Sequence, residues 1–277
     1  MKLSRILLSA LLISGMNFAY STTPAAPTYA PVQGQAGKDV IWIPTPEGLI
    51  DKMLTAANVT HQDKVFDLGA GDGIIAITAA RKYNAQSVGI EFNPDMAQFA
   101  RRKVAEAGMT DKVKIITGDI FQEDFSAATV VTLYLMPHLN IKLRPILLKM
   151  KPGTRVVSNT FSMGDWEPDE TILDQHWRAH FWVVPAQIEG AWVMKGVDGG
   201  PLRLNISQSY QNIGGTLTRG GQTFNLLGAK LRGDEVKFQF NTPDRKVHAF
   251  SGRLEGGRLT GTVVADFSST SVEMTRP

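Results

Sequence analysis

The chain contains no cysteine. Disulfides, thiol nucleophiles and cysteine-based zinc sites are therefore excluded. Histidine does not fill the gap. His138, His176, His180 and His248 are scattered, and His176 and His180, four apart, fall in a strand-like segment rather than on one helical face. No metal is expected. A strong charge imbalance is also missing: 29 Lys and Arg against 26 Asp and Glu leave +3. The excess sits at the two ends, so the middle of the chain is slightly acidic. A nucleic-acid partner calls for a concentrated basic surface, and none is expected here. Long apolar runs are scarce too. Ile6 to Met16 is about eleven residues long, too short to span a bilayer comfortably.

That run follows Lys2 and Arg5 and precedes Ala19-Tyr20-Ser21, the layout of an export signal. Residues 1–21 read as a signal peptide or anchor. The protein is then expected to be exported (periplasmic) or inner-membrane-anchored, with membrane association through its N-terminus. Residues 22–37 are Ser, Thr, Pro, Ala, Gly and Gln without apolar periodicity, which reads as a linker.

From residue 38 to 185 the pattern is that of one α/β domain. Pro44-Thr45-Pro46 predicts a helix entry with Thr45 as N-cap, because proline suits the first helical turn. Leu49, Ile50, Met53, Leu54 and Ala57 then fall on one helical face. Strands are expected at Val65–Leu68, Ser87–Ile90, Val113–Thr117, Thr129–Leu133 and Thr154–Asn159. Helices are expected at Ile74–Tyr83, Pro94–Ala107 and His138–Met150. Such alternation means a parallel sheet covered by helices. Thr171–Leu173 and Ala179–Val184 read as a strand pair that ends the unit. Residues 186–277 differ: Leu202, Leu204 and Ile206, and again Val236, Phe238 and Phe240, alternate with polar residues, and paired glycines recur between them. This predicts a small antiparallel β domain, barrel or sandwich.

The chemistry gathers at Asp67-Leu68-Gly69-Ala70-Gly71-Asp72-Gly73. A strand followed by a glycine turn and a helix start lets a ligand approach bare backbone N–H groups. A dinucleotide fingerprint would place its third glycine at position 74, which is Ile74. Asp67, just ahead of the turn, has no evident role in a dinucleotide site but suits a cofactor with a free ammonium. S-adenosylmethionine is therefore the favoured cofactor. Glu91, ending the next strand, can accept from both ribose hydroxyls. Asp119, after the third, can accept from the adenine amine, with the Ile120 N–H beside it. Asp72 can brace the loop or cap the helix.

These motifs, with Gly89-Ile90-Glu91 and Thr117-Gly118-Asp119, resemble those of the class I, seven-stranded S-adenosylmethionine-dependent methyltransferases. Ile43-Pro44-Thr45-Pro46, Leu133-Tyr134-Leu135-Met136-Pro137, Leu143-Arg144-Pro145 and Lys151-Pro152-Gly153-Thr154-Arg155-Val156-Val157-Ser158 are similar to segments of the ATP synthase c-subunit/adenine nucleotide translocase lysine methyltransferase family and its bacterial relatives. The resemblance covers roughly residues 40–185. It implies a Rossmann-like seven-stranded sheet, methyl transfer to a protein lysine amine, and a contact of Thr45 with the cofactor's amino-acid end. Tyr134 and Asn140, after the fourth strand, are candidates to orient the amine. Equally, Tyr134 could pack and Asn140 could cap a helix. Two other readings stay open: an exported, non-catalytic binding protein on this scaffold, and a small-molecule methyltransferase.

Overall fold

The computed structural model describes residues 29–197, 200–242 and 246–277. The export segment expected at 1–21, and the first part of the linker, lie outside these residues. Two sheets follow one another along the chain.

The first is mixed and seven-stranded. Its elements are α1 (Glu47–Ala56), β1 (Lys64–Leu68), α2 (Ile74–Tyr83), β2 (Gln86–Glu91), α3 (Pro94–Glu106), β3 (Val113–Thr117), β4 (Val130–Leu133), α4 (Pro137–Leu147), β5 (Arg155–Asn159), β6 (Glu170–Asp174) and β7 (Trp177–Val183). The strand order is β3-β2-β1-β4-β5-β7-β6. The five strands from β3 to β5 run parallel, and β7 is antiparallel to both of its neighbours. Strand β4 is buried throughout and β1 along all but its first residue, as expected of central parallel strands covered on both faces. The order departs from β1 in both directions, so the carboxyl ends of β1 and β4 splay their following loops apart. That crevice is where such sheets take ligands.

The helix boundaries follow local chemistry. Asn93 caps α3 by accepting from the N–H groups of Asp95 and Met96, with Pro94 at the first position. Gly73 precedes α2 in the left-handed region, φ 77°, and Asn84 ends it at φ 60°. Thr45 does not cap α1. Pro46 is the capping residue and no side chain caps the helix; Thr45 is instead turned inward and buried. Its hydroxyl accepts from Asn159 Nδ2 at 3.3 Å, a stronger claim on it than the helix end.

The second sheet holds nine antiparallel strands: β8 (Gly190–Lys195), β9 (Leu202–Ser209), β10 (Asn212–Arg219), β11 (Gln222–Asn225), β12 (Leu227–Arg232), β13 (Glu235–Asn241), β14 (Val247–Glu255), β15 (Arg258–Ala265) and β16 (Ser268–Thr275). Their order is β11-β10-β9-β8-β16-β15-β14-β13-β12. The two edge strands, β11 and β12, are consecutive in the chain and separated by Leu226 alone, whose N–H bonds the Gly215 carbonyl of β10. The edges therefore meet, and the sheet curls into a nearly closed barrel. Its interior is filled by Trp192, Phe238, Phe240, Phe250, Leu204 and their neighbours. The crossover between the sheets is short: Val184 packs into the first core, Ala186 and Ile188 into the second.

Candidate active site

The carboxyl ends of β1, β2 and β4 and the segment 35–45 enclose a cavity of about 290 Å³. Of the residues singled out from sequence, Thr45, Asp67, Gly69, Gly71, Glu91, Asp119, Ile120 and Tyr134 line it. Gly73 and Asn140 do not. Gly73 sits behind the turn, where a Cβ would stand 3.4 Å from Ala100. Asn140 is fully buried inside α4 rather than at its start, where Met136 is the capping residue. Its Nδ2 donates to Ser158 Oγ at 3.0 Å and to the carbonyls of Phe161 and Ser162 at 3.1 and 3.3 Å. Asn140 therefore ties α4 to the segment leaving β5, with no exposure to the cavity.

Asp67 is the most constrained group in the site. It is 2% exposed, accepts a hydrogen bond from Thr132 Oγ1 at 2.7 Å, and has no cation paired with it among the described residues. Burial pushes its carboxyl up to about 7; the Thr132 hydroxyl works against that shift, and the charges of Asp72 and Glu91 add to it. A buried carboxylate without a cation is costly, and a ligand ammonium would supply the missing charge. The glycine turn beside it is shaped for close approach. Gly69 and Gly71 hold φ 79° and 54°, and a Cβ on Gly71 would stand 2.7 Å from the Trp42 indole nitrogen.

Glu91 ends β2 with both oxygens engaged. Oε2 accepts from the Gly71 N–H and Oε1 from the Asn93 N–H, each at 2.9 Å. It thus braces the glycine turn, and each oxygen keeps a further lone pair for a hydroxyl. Asp72 does both things open to it: Oδ1 accepts from the Ile74 N–H at 3.3 Å at the start of α2, and Oδ2 pairs with Lys103 at 2.5 Å. Asp119 is held below the usual carboxylate range, first by the Phe121 N–H and then by Lys38, whose Nζ lies 3.0 Å from Oδ2.

Lys38 belongs to a feature that the sequence pattern did not reveal. Residues 34–42 form a small hairpin, closed by Gly34 N–H to Trp42 O and Trp42 N–H to Gln35 O, with an antiparallel bridge from Ala36 to Ile41. The end of the supposed linker, 34–37, is therefore ordered structure. The hairpin covers the cavity, placing Trp42 on Gly71 and Lys38 on both Asp119 and the Phe92 ring. Paired glycines and a lone tryptophan were the available signal.

At the opposite end of the cavity stand Tyr134, Leu135, Met136, Leu139, Phe121 and Phe161. The Tyr134 phenol is raised by burial and hydrogen-bonds the Thr160 side chain. Thr160 follows β5 at φ 64°, a strained conformation for a β-branched residue. Its Oγ1 donates to Asn159 Oδ1 at 2.9 Å, while Asn159 Nδ2 donates to Thr45. With the Thr160 proton committed to Asn159, the Tyr134 O–H donates to Thr160, and the phenol oxygen offers lone pairs alone to the cavity.

A 3-2-1-4-5-7-6 sheet with acids at the ends of its first three strands around a bare glycine turn defines a class I methyltransferase that uses S-adenosylmethionine. Residues 67–170 match the family model of the ANTKMT methyltransferase domain. A protein-lysine N-methyltransferase of Saccharolobus islandicus is 44% identical over 135 residues, covering 48% of this chain and 84% of that protein. The lysine N-methyltransferase of mouse that acts on the ATP synthase c-ring protein is 32% identical over 118 residues, and the match spans about half of that enzyme's length, 46%. An RNA methyltransferase of Salinibacter ruber, solved with S-adenosyl-L-homocysteine, is 48% identical with a TM-score of 0.52, covering 53% of this chain and 96% of that one. The chain belongs to the ANTKMT methyltransferase family.

Proposed function

We propose that the protein transfers a methyl group to the side-chain amine of a protein lysine, with Asp67, Glu91 and Asp119 holding the amino-acid, ribose and adenine ends of S-adenosylmethionine. The observation that carries the acceptor class is the wall opposite the glycine turn. It is apolar except for the Tyr134 hydroxyl, which suits four methylenes ending in an amine. Among the described residues the one cation lining the cavity, Lys38, is paired with Asp119, leaving no free positive charge there to neutralise a nucleic-acid phosphate. The relatives named for lysine methylation support the same choice.

The cofactor supplies an electrophilic sulfonium methyl. The chain's own part is placement. Tyr134 accepts an N–H of the neutral amine and so turns the nitrogen lone pair toward the methyl. Leu135, Met136 and Phe161 keep water from the reacting atoms. Thr45 and Asn159 join the cofactor end of the cavity to Tyr134 through one set of hydrogen bonds. Mixing the protein with S-adenosylmethionine and either a lysine-rich protein or an RNA should release S-adenosylhomocysteine with the protein acceptor alone; release with RNA instead would overturn the reading. Tyr134→Phe is expected to lower kcat by about tenfold or more with cofactor affinity unchanged.

We also propose that residues 1–21 carry the chain to the inner membrane or beyond it. Among the described residues no helix is long and apolar enough to cross a membrane. Fusing residues 1–37 to a reporter active only outside the cytoplasm should produce signal; a silent fusion would reject this location.

A further inference from the structure

The nine-stranded sheet does not merely follow the methyltransferase sheet. The turn of its β9–β10 hairpin, Tyr210-Gln211, is inserted into the loop that leaves β5. The Tyr210 ring stacks on Trp166 with centroids 6.1 Å apart and an interplanar angle of 22°, and its hydroxyl donates to Asp165 Oδ2 at 2.9 Å. Gln211 is used at both ends: Oε1 accepts from Trp166 Nε1 at 2.9 Å, and Nε2 donates to the Glu167 carbonyl at 2.7 Å. Tyr210 holds φ 55°, unusual for a bulky residue, and Gln208 secures the turn by donating to the Tyr210 and Ala186 carbonyls.

What the hairpin grips is continuous with the cavity wall. Trp166 is fully buried in the core shared with α4 and β5, and its carbonyl accepts from Trp182 Nε1. Arg144 of α4 donates to the Met163 carbonyl, pairs with Asp165, and lies over the Tyr210 ring at 5.7 Å. Two residues before Met163 is Phe161, which lines the acceptor end, and Asn140 holds the Phe161 and Ser162 carbonyls from the same helix. Hairpin, loop, α4 and cavity wall thus form one hydrogen-bonded, stacked unit. The Salinibacter structure, matched over 96% of its length by about half of this chain, has little room for a counterpart of this hairpin.

We infer that Tyr210 and Gln211 are positioning residues for methyl transfer: through Trp166 and Asp165 they fix the loop that sets Phe161 against the acceptor, making the nine-stranded sheet part of the acceptor side. This rests on the acceptor reading proposed above. The test compares wild type with Tyr210→Ala, Tyr210→Phe and Gln211→Ala, because the alanine at 210 alone could loosen the fold. Hydrogen exchange at residues 159–163 should quicken at least severalfold in Tyr210→Ala, with residues 67–73 unchanged. S-adenosylhomocysteine affinity by calorimetry should stay within twofold. With a lysine-bearing protein acceptor, KM should rise or kcat fall about tenfold in Tyr210→Ala, less in Gln211→Ala, with Tyr210→Phe, which keeps the stack, close to wild type. Unchanged exchange at 159–163, or unchanged turnover in an active enzyme, overturns the inference. If wild type transfers no methyl to any lysine, the proposed function falls, and exchange alone decides this coupling.

Discussion

The two sheets solve the same problem, covering apolar strands, in opposite ways. The seven-stranded sheet is covered from outside by helices, and its β1 and β4 loops must part at the carboxyl ends. It therefore holds a cavity as a by-product of its topology, and polar residues gather there. The nine-stranded sheet covers itself. Its strands alternate inward apolar and outward polar side chains, and the inward set fills the barrel. A filled barrel offers an outer surface and hairpin turns, and it is a turn that reaches the active site. Within one chain, parallel order makes a site and antiparallel closure makes a prop.

That contrast can be broken at several points. The largest effect is expected from Phe250→Ala, which should cost about 3–5 kcal/mol in the barrel while leaving cofactor affinity within twofold; denaturant melts and calorimetry would check it, and a parallel loss of affinity would show that the sheets are not separable. Asp67→Ala should leave the barrel intact and weaken the cofactor by about 3 kcal/mol, a hundredfold or more in Kd. Gly71→Ala puts a side chain at φ 54° against Trp42, and about a tenfold weaker cofactor is expected from roughly 1–2 kcal/mol of strain.

A pH series sharpens the same comparison. With its carboxyl at about 7 in the free protein, Asp67 must lose a proton to meet an ammonium. Cofactor affinity should be level above about pH 7 and fall by up to about tenfold per unit below it. Stability runs the other way. Asp67 stays protonated in the fold between 3.8 and about 7 while the unfolded chain has released that proton, so its contribution is complete below 3.8 and is lost as pH rises toward 7. Asp67→Asn should flatten both dependences.

Much of this was readable before any coordinates. The spans of α2 and β3 match their expected residues, and the strand–helix alternation, with Asp67, Glu91 and Asp119 at strand ends, placed the cofactor side. These features are local: apolar period, glycine, cap residues. What escaped depends on residues far apart. The 34–42 hairpin is built of small polar residues and earns its place through Trp42 and Lys38, against Gly71 and Asp119. Thr45 looked like a cap because its neighbours are prolines, yet its partner is Asn159, more than a hundred positions on. Asn140 looked polar and available; three acceptors in the β5 exit loop bury it. Barrel or sandwich was undecidable because closure depends on which strands become edges.

One further consequence lies in the order of the nine strands. β16 pairs with β15 on one side and with β8 on the other, through Met274 and Met194 and their neighbours. The sheet's first strand thus waits for its last. On either side of that seam each strand pairs with a neighbour in sequence, so two half-sheets can form quickly from local hairpins. Joining them spans nearly eighty intervening residues and is the slow, non-local step. Until it is made, β8 presents an open edge to other chains. During synthesis the methyltransferase sheet can be complete while the barrel is still two unjoined halves, and crowding or heat would find its first opening along the β8–β16 seam.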